Sequence, residues 1–500
     1  MVFPLAPTYK VLSFSQVSKN TTVNSHRQHS HSIVILCKRS APVQVNPGIF
    51  KAYDIRGIYP TDLNEAIGYL IGRAFVTLLG AETVIVGRDM RTSGPAMFEA
   101  VTRGITEQGA DVTDIGMVST DQYYFACAVL GLPGMMVTAS HNPKEYSGFK
   151  MVRQMPYLLS GDEGIQDLRR LVEREAFPQP ARKGAVKRYD FQEAFIARAL
   201  SLIDVAALEN GGALGRPLRV IADTGNGMVG PILQEIYRRL PITFSGMYLE
   251  PDGTLPNHGL DPLQPENRAE LQARVPAEGF DIGFLFDGDG DRFFAVDDRG
   301  RFISGDFLTA ILGQYMLEKS PGAKVIYDVR ASWAVPDLIR ASGGIPLMER
   351  VGHAFIKRRM ANEDAVFAGE VTGHYYFRDF FYADSGIIPS LLLMELLAKR
   401  GVRMSALLAD LEAKYFISGE INSKVPDVPA RLDELASRYA DGKVERLDGV
   451  SVSYATWHFN VRGSNTEPLI RLNLESIASP EEMAARRDEV LAIIRGEGAS

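Results

Sequence analysis

Short apolar runs alternate along this chain with stretches whose apolar positions recur every third or fourth residue. Val84-Ile-Val-Gly-Arg-Asp89 reads as a strand, and Met97, Val101 and Ile105 behind it fall at helical spacing. Ala110-Asp-Val-Thr-Asp-Ile115 is a second strand, after which another helix leads to Gly134-Met-Met-Val137. The same order recurs from Arg219-Val-Ile-Ala-Asp223 through Ile242-Thr-Phe244 to Asp281-Ile-Gly-Phe-Leu-Phe286. It recurs again from Lys324-Val-Ile-Tyr-Asp328 through Ile345-Pro-Leu347 to Ala365-Val-Phe-Ala368. Strands alternating with helices predict parallel sheets. Such sheets take ligands beyond the carboxyl ends of their strands. In each copy the most polar loop follows the third strand, so three loops can be aimed at one cleft.

Towards the C-terminus the period changes. A helix over 430–440, adjacent strands such as 450–454 and a closing helix Pro480–Arg495 predict a smaller α+β unit. Phe177-Pro-Gln-Pro-Ala-Arg-Lys-Gly184 reads as a linker, followed by a helix from about Phe191. The expected fold class is α/β: three similar αβα domains with mixed or parallel sheets, plus a C-terminal α+β domain. The expected divisions are 1–46 (a disordered tail or extension), 47–189, 190–301, 302–412 and 413–500.

Composition narrows the partners. A chain of 500 residues exceeds one core, and its length suggests about three to four domains. With 46% hydrophobic and 23% charged residues it has the make-up of a soluble globular protein. A net charge of −7 gives no electrostatic case for nucleic acid or an anionic membrane, while leaving room for a local basic cleft around a small anion. Cys37 and Cys127 cannot form a disulfide framework, so a reducing, cytoplasmic setting is expected. No apolar run reaches the roughly 18 residues of a membrane span. The nearest, from Ile387 to Leu397, is broken by Pro389, Ser390 and Glu395 and is expected to be a buried helix. The first roughly 45 residues lack acidic side chains and are rich in serine, a transit-peptide-like composition, but carry few basic residues. Organelle targeting is therefore the alternative reading of this tail, and His26, His29 and His31 within it are expected to be solvated.

Two segments carry most of the chemistry. Thr138-Ala-Ser-His-Asn-Pro143 places Ser140 in a tight polar turn after an apolar run, with His141 beside it. The serine lacks a Gly-x-Ser-x-Gly setting, so a hydrolase elbow is unsupported; it needs a base or prior phosphorylation. Lys150, ending Ser147-Gly-Phe-Lys, is a candidate proton shuttle if neighbouring cations depress its pKa. Asp287-Gly-Asp-Gly-Asp-Arg292 directs Asp287, Asp289 and Asp291 at one ion, with Arg292 placed to steady a transferring phosphoryl group. It is no EF-hand, because Arg292 stands where glycine is required and Asp298 where glutamate is. An aspartyl-phosphate phosphatase with Asp287 as nucleophile is an alternative. Gly369-Glu-Val-Thr-Gly-His374 offers Glu370, Thr372 and His374 to a polyhydroxylated ring. Arg462, Ser464, Asn465 and Thr466 make a phosphate cradle.

Together these segments resemble the α-D-phosphohexomutase family, in particular its bacterial phosphomannomutase/phosphoglucomutase branch, over residues 47–500 and in the family's order. The resemblance implies four domains around a central cleft, phosphorylated Ser140 as donor, and Mg²⁺ held by Ser140, Asp287, Asp289 and Asp291. It further implies acid/base work by Lys150 and His353, with Tyr53, Arg56, Arg330 and His374 lining the cleft. The implied reaction interconverts hexose 1- and 6-phosphates of mannose or glucose through a 1,6-bisphosphate, with glucose or mannose 1,6-bisphosphate as activator. Small sugar phosphates are then the partners, and a monomer or weak dimer is expected. Thr372 stands where serine is commoner and Ser147 where asparagine is usual; Val371 ranks a phosphoglucosamine mutase behind the other two sugars. A non-catalytic sugar-phosphate-binding regulator is the remaining alternative.

Overall fold

Each repeat is built on a parallel triplet of strands. In the first, Thr83–Arg88 lies between Asp111–Met117 and Gly134–Val137. In the second, Arg219–Asp223 lies between Thr243–Met247 and Ile282–Phe286. In the third, Lys324–Asp328 lies between Ile345–Glu349 and Phe367–Gly369. These relations come from a computed structural model describing residues 43–161, 163–463 and 469–496. The expectations for the tail with its three histidines, and for Ser464, Asn465 and Thr466, lie outside the described residues.

After the third strand of each triplet the chain passes through its polar loop and returns antiparallel, as Tyr146–Gln154, Phe293–Asp297 and Tyr375–Phe377. The three sheets are therefore mixed. Periodicity did not single out the first return strand, because Ser147 and Lys150 are buried polar residues within it and blur the alternation. Helices cover the sheets with the faces expected of them: Gly94–Glu107 buries Met97, Val101 and Ile105. It packs tightly on Glu65–Leu79, where a Cβ added at Gly104 would lie 2.1 Å from the Tyr69 carbonyl oxygen. Ile387–Arg400 is a buried helix, and among the described residues no helix is long and apolar enough to cross a membrane.

The fourth sheet is antiparallel through Phe416–Ile417, Leu469–Ser476, Trp457–Gly463, Val450–Ser453 and Lys443–Glu445, with Ile421–Lys424 also paired to Leu469–Ser476. Its first helix is Val428–Arg438, two residues earlier than the sequence suggested. Asp427 caps it by accepting from Ala430 N at 3.0 Å, and Pro429 suits the first turn.

The sheets meet at the acidic loop. Thr120 N donates to Asp289 O at 2.8 Å, Phe293 N to Gly373 O at 2.9 Å, and Gly386 N to Gly290 O at 3.1 Å. From the fourth sheet, Glu475 accepts from Trp333 N at 3.0 Å and Asp448 from Val351 N at 3.0 Å.

Candidate active site

Ser140 sits at positive φ (50°) at the end of its strand, nearly buried. Its N–H donates to Thr138 Oγ1 at 2.9 Å, and its hydroxyl donates to Asp287 Oδ2 at 2.9 Å and lies 3.1 Å from His141 Nδ1. The turn is held from below by Arg91, a residue the sequence reading passed over. Its guanidinium donates to the carbonyls of Ser140 and Asn142 at 2.7 Å, Pro143 at 2.7 Å and Tyr146 at 3.1 Å, and pairs with buried Asp89 at 3.2 Å. Four carbonyls converging on one cation fix the backbone that aims the hydroxyl. Arg56 reaches the same loop through Asn142 Oδ1.

Asp287, Asp289 and Asp291 are all buried, with carboxylate oxygens within 4.8 Å of one another. Asp289 is fixed from the first domain by Thr120 Oγ1 at 2.6 Å, while Oδ1 of Asp289 and of Asp291 has no hydrogen-bond partner among the described residues. Burial, then the charges of Asp291 and Asp289, pushes the Asp287 carboxyl far above the usual carboxylate range. Crowded anions, unspent buried oxygens and an all-oxygen donor set fit a hard divalent cation.

Lys150 corrects one expectation. Cations were expected to depress its pKa; instead its Nζ lies 2.6 Å from Asp289 Oδ2 and also contacts Asp291. Burial alone would lower the pKa, but Asp289, Asp291 and Asp287 outweigh it and hold the ammonium well above its ordinary value. In this arrangement Lys150 is the cationic partner of Asp289 and Asp291.

The imidazoles divide into two kinds. His353, first residue of the helix His353–Glu363, packs edge-on to Tyr53 with ring centroids 5.6 Å apart. Burial, then the positive charges of Lys357, Lys150 and His374, holds its pKa well below normal, which favours the neutral ring. His141 is depressed likewise by burial, Arg292 and Arg56. His374 is the opposite: burial would lower it, but Asp291 (3.5 Å) and Glu370 (3.2 Å) lift it to about 9. Glu370 accepts from Tyr376 Oη at 2.7 Å and Gly352 N at 3.1 Å. At Gly352, φ is 133° and a Cβ would meet the Tyr53 ring at 2.8 Å, so glycine lets the loop before His353 pass under Tyr53.

A basic wall faces the carboxylates. Arg330 is clamped by Asp328 through two 2.9 Å contacts and lies 3.5 Å from Thr372 Oγ1. Arg462 lies 3.4 Å from Asp448, and across its strand pair stands Arg471, also absent from the sequence reading. Arg292 makes its backbone contact to Asp287, and its buried Nε has no partner among the described residues. Direct contacts join Ser140 to His141 and Asp287, Lys150 to Asp289 and Asp291, His374 to Asp291 and Glu370, and Arg330 to Thr372. Arg91, in a loop, and Arg471, within the strand Leu469–Ser476, were missed because neither has a motif of its own.

Models of phosphoglucomutase/phosphomannomutase α/β/α domains I, II and III match residues 47–179, 194–300 and 304–415, and the C-terminal domain model matches 420–493. A phosphomannomutase from Escherichia coli is 41% identical over 456 residues, covering 89% of this chain and 99% of the relative. A protein named phosphohexose mutases from Xanthomonas campestris pv. campestris is 39% identical over 450 residues, with shares of 89% and 99%. The crystal structure of a phosphoglucomutase/phosphomannomutase family protein from Burkholderia thailandensis superposes with a TM-score of 0.82 at 33% identity, covering 91% of this chain and 99% of that one. With four successive domain models matching from residue 47 to 493 and the serine turn hydrogen-bonded to the acid triad, the chain belongs to the phosphoglucomutase/phosphomannomutase family.

Proposed function

We propose that this protein is a phosphohexomutase interconverting the 1- and 6-phosphates of mannose or glucose, with Ser140 as the phosphoryl carrier. The observation that carries this reading is the Ser140 hydroxyl, 2.9 Å from Asp287 inside a buried triad of carboxylates. Asp287, Asp289 and Asp291 would hold Mg²⁺, which neutralises charge on a phosphoryl group when bound. Phospho-Ser140 gives its phosphoryl to the free sugar hydroxyl, whose proton passes to a base, the role this reading gives to His353. Lys150, paired with Asp289, and Arg292 are the cations this reading assigns to the serine oxygen as it regains negative charge. The resulting 1,6-bisphosphate turns over in the cleft and returns its other phosphate to Ser140. Arg330, Arg462 and Arg471 hold the non-reacting phosphate, and Glu370, Thr372 and His374 are placed for the ring hydroxyls. Sugar phosphates and a catalytic trace of the 1,6-bisphosphate complete the ligand set, and the cytoplasm is the compartment this reading assigns.

A phosphorus NMR time course tests it. Protein receives Mg²⁺, a trace of glucose 1,6-bisphosphate, and mannose 1-phosphate or glucose 1-phosphate in separate tubes. Growth of 6-phosphate signals without inorganic phosphate is the expected result, and the two rates set the sugar preference. Inorganic phosphate alone would replace this reading with an Asp287 phosphatase.

A further inference from the structure

Arg330 and Arg471 come from different sheets, yet one carboxylate joins them. Glu420 Oε2 accepts from Arg330 Nη1 at 3.3 Å, and its Oε1 accepts from Arg471 Nη1 at 3.2 Å. Glu420 immediately precedes the strand Ile421–Lys424, which pairs with the strand of Arg471, so the contact spans the third and fourth domains. The two arginines differ in what else they have. Arg330 is already clamped by Asp328, whereas Glu420 is the one carboxylate partner of Arg471 among the described residues. Burial lowers the Arg471 pKa, Glu420 opposes that, and the positive charges of Arg462, Arg330 and Arg292 lower it further. Glu420 is partly exposed, its side chain 21% accessible, so it can leave without stranding a buried charge.

Two oxygens, each on a different guanidinium, is how two oxygens of a phosphate monoester would sit there. We propose that Glu420 is an internal counter-anion of the sugar-phosphate site, holding Arg330 and Arg471 together until a phosphate monoester displaces it. The inference rests on the reading of this cleft as a phosphohexomutase site. A phosphate monoester carries more charge and more acceptor oxygens than a carboxylate, so it wins the arginines. The cost of displacing Glu420 is subtracted from its affinity. In a mutase that subtraction is useful: each phosphate of the sugar takes this position in turn and must leave it within every cycle. A carboxylate that recaptures the arginines makes leaving easier.

The test is calorimetric titration of the full chain with inorganic phosphate, for wild type, Glu420→Gln and Glu420→Asp, together with KM and kcat for mannose 1-phosphate. Removing the competitor should tighten phosphate binding about three- to tenfold in Glu420→Gln, with a smaller gain in Glu420→Asp. KM should fall and kcat fall with it, as release slows. Unchanged or weaker phosphate binding in the variants overturns the proposal, and weaker binding would make Glu420 a residue that merely positions the arginines. Failure of the underlying site reading looks different: wild type and Arg471→Met would bind phosphate alike, and both ideas would fall together.

Discussion

Ser140 and Arg91 divide the serine turn between chemistry and support. Removing the hydroxyl removes the phosphoryl carrier but leaves the turn's hydrogen bonds to Arg91 in place. Ser140→Ala should therefore melt like wild type while losing turnover by at least about a thousandfold, checked by calorimetry beside the mutase assay. Arg91→Met should do the reverse in proportion: four carbonyls lose their donor and buried Asp89 is left unpaired. Breaking such a buried pair costs about 3–5 kcal/mol, so a markedly lower melting temperature is expected. Activity assayed well below that temperature should still be reduced, because the serine is no longer aimed. The two residues also differ in how readable they were. Ser140 announced itself through its neighbours, whereas Arg91 is an arginine in an ordinary loop until the fold brings residues 140–146 over it.

At the scale of elements, the helix Gly305–Lys319 shows how burial overrides a local rule. Asp306 is in its first turn, where the helix dipole favours a negative charge. Yet it is buried where the third sheet meets the fourth, accepting from Ser332 N at 2.7 Å. Burial, aided by the nearby charges of Glu475 and Asp328 and opposed by Ser332 N–H and Arg330, raises its pKa to about 7. A raised folded pKa means the folded chain binds the extra proton. The stability it contributes is fully present below its unfolded value of about 4 and is lost as pH rises through about 7. Asp306→Asn should accordingly come closest to wild type near pH 4 and be relatively more stable near pH 8, read from chemical denaturation at the two values. An unchanged difference between the proteins across that range would contradict the assignment. The element itself, a long apolar run following Phe302, was foreseeable; its buried acid was not, because the partner surface comes from residues far along the chain.

Across the whole molecule, the domains depend on ties between them, one of which is the fully buried Lys357. It lies 2.8 Å from Asp384 and 3.6 Å from the centroid of the Tyr124 ring, joining the third domain to a helix of the first. Lys357→Ala leaves buried Asp384 without its partner, and should cost about 3–5 kcal/mol. The double variant Lys357→Met/Asp384→Asn should recover part of that loss, a coupling that a double-mutant cycle measures. The sequence alone determined the repeats, the buried helix Ile387–Arg400, the serine turn, the acid triad and the family resemblance. Each of these is local: it needs a period of two or 3.6 residues, or groups a few residues apart acting on one ion. Tertiary structure decided what depends on surroundings. It made Lys150 a charged partner of Asp289, set neutral His353 against charged His374, and placed Arg91 and Arg471 in the site. Proton affinity and counter-charge are set by burial and by the fields of neighbours from other domains, and neither quantity exists until those domains close around the cleft.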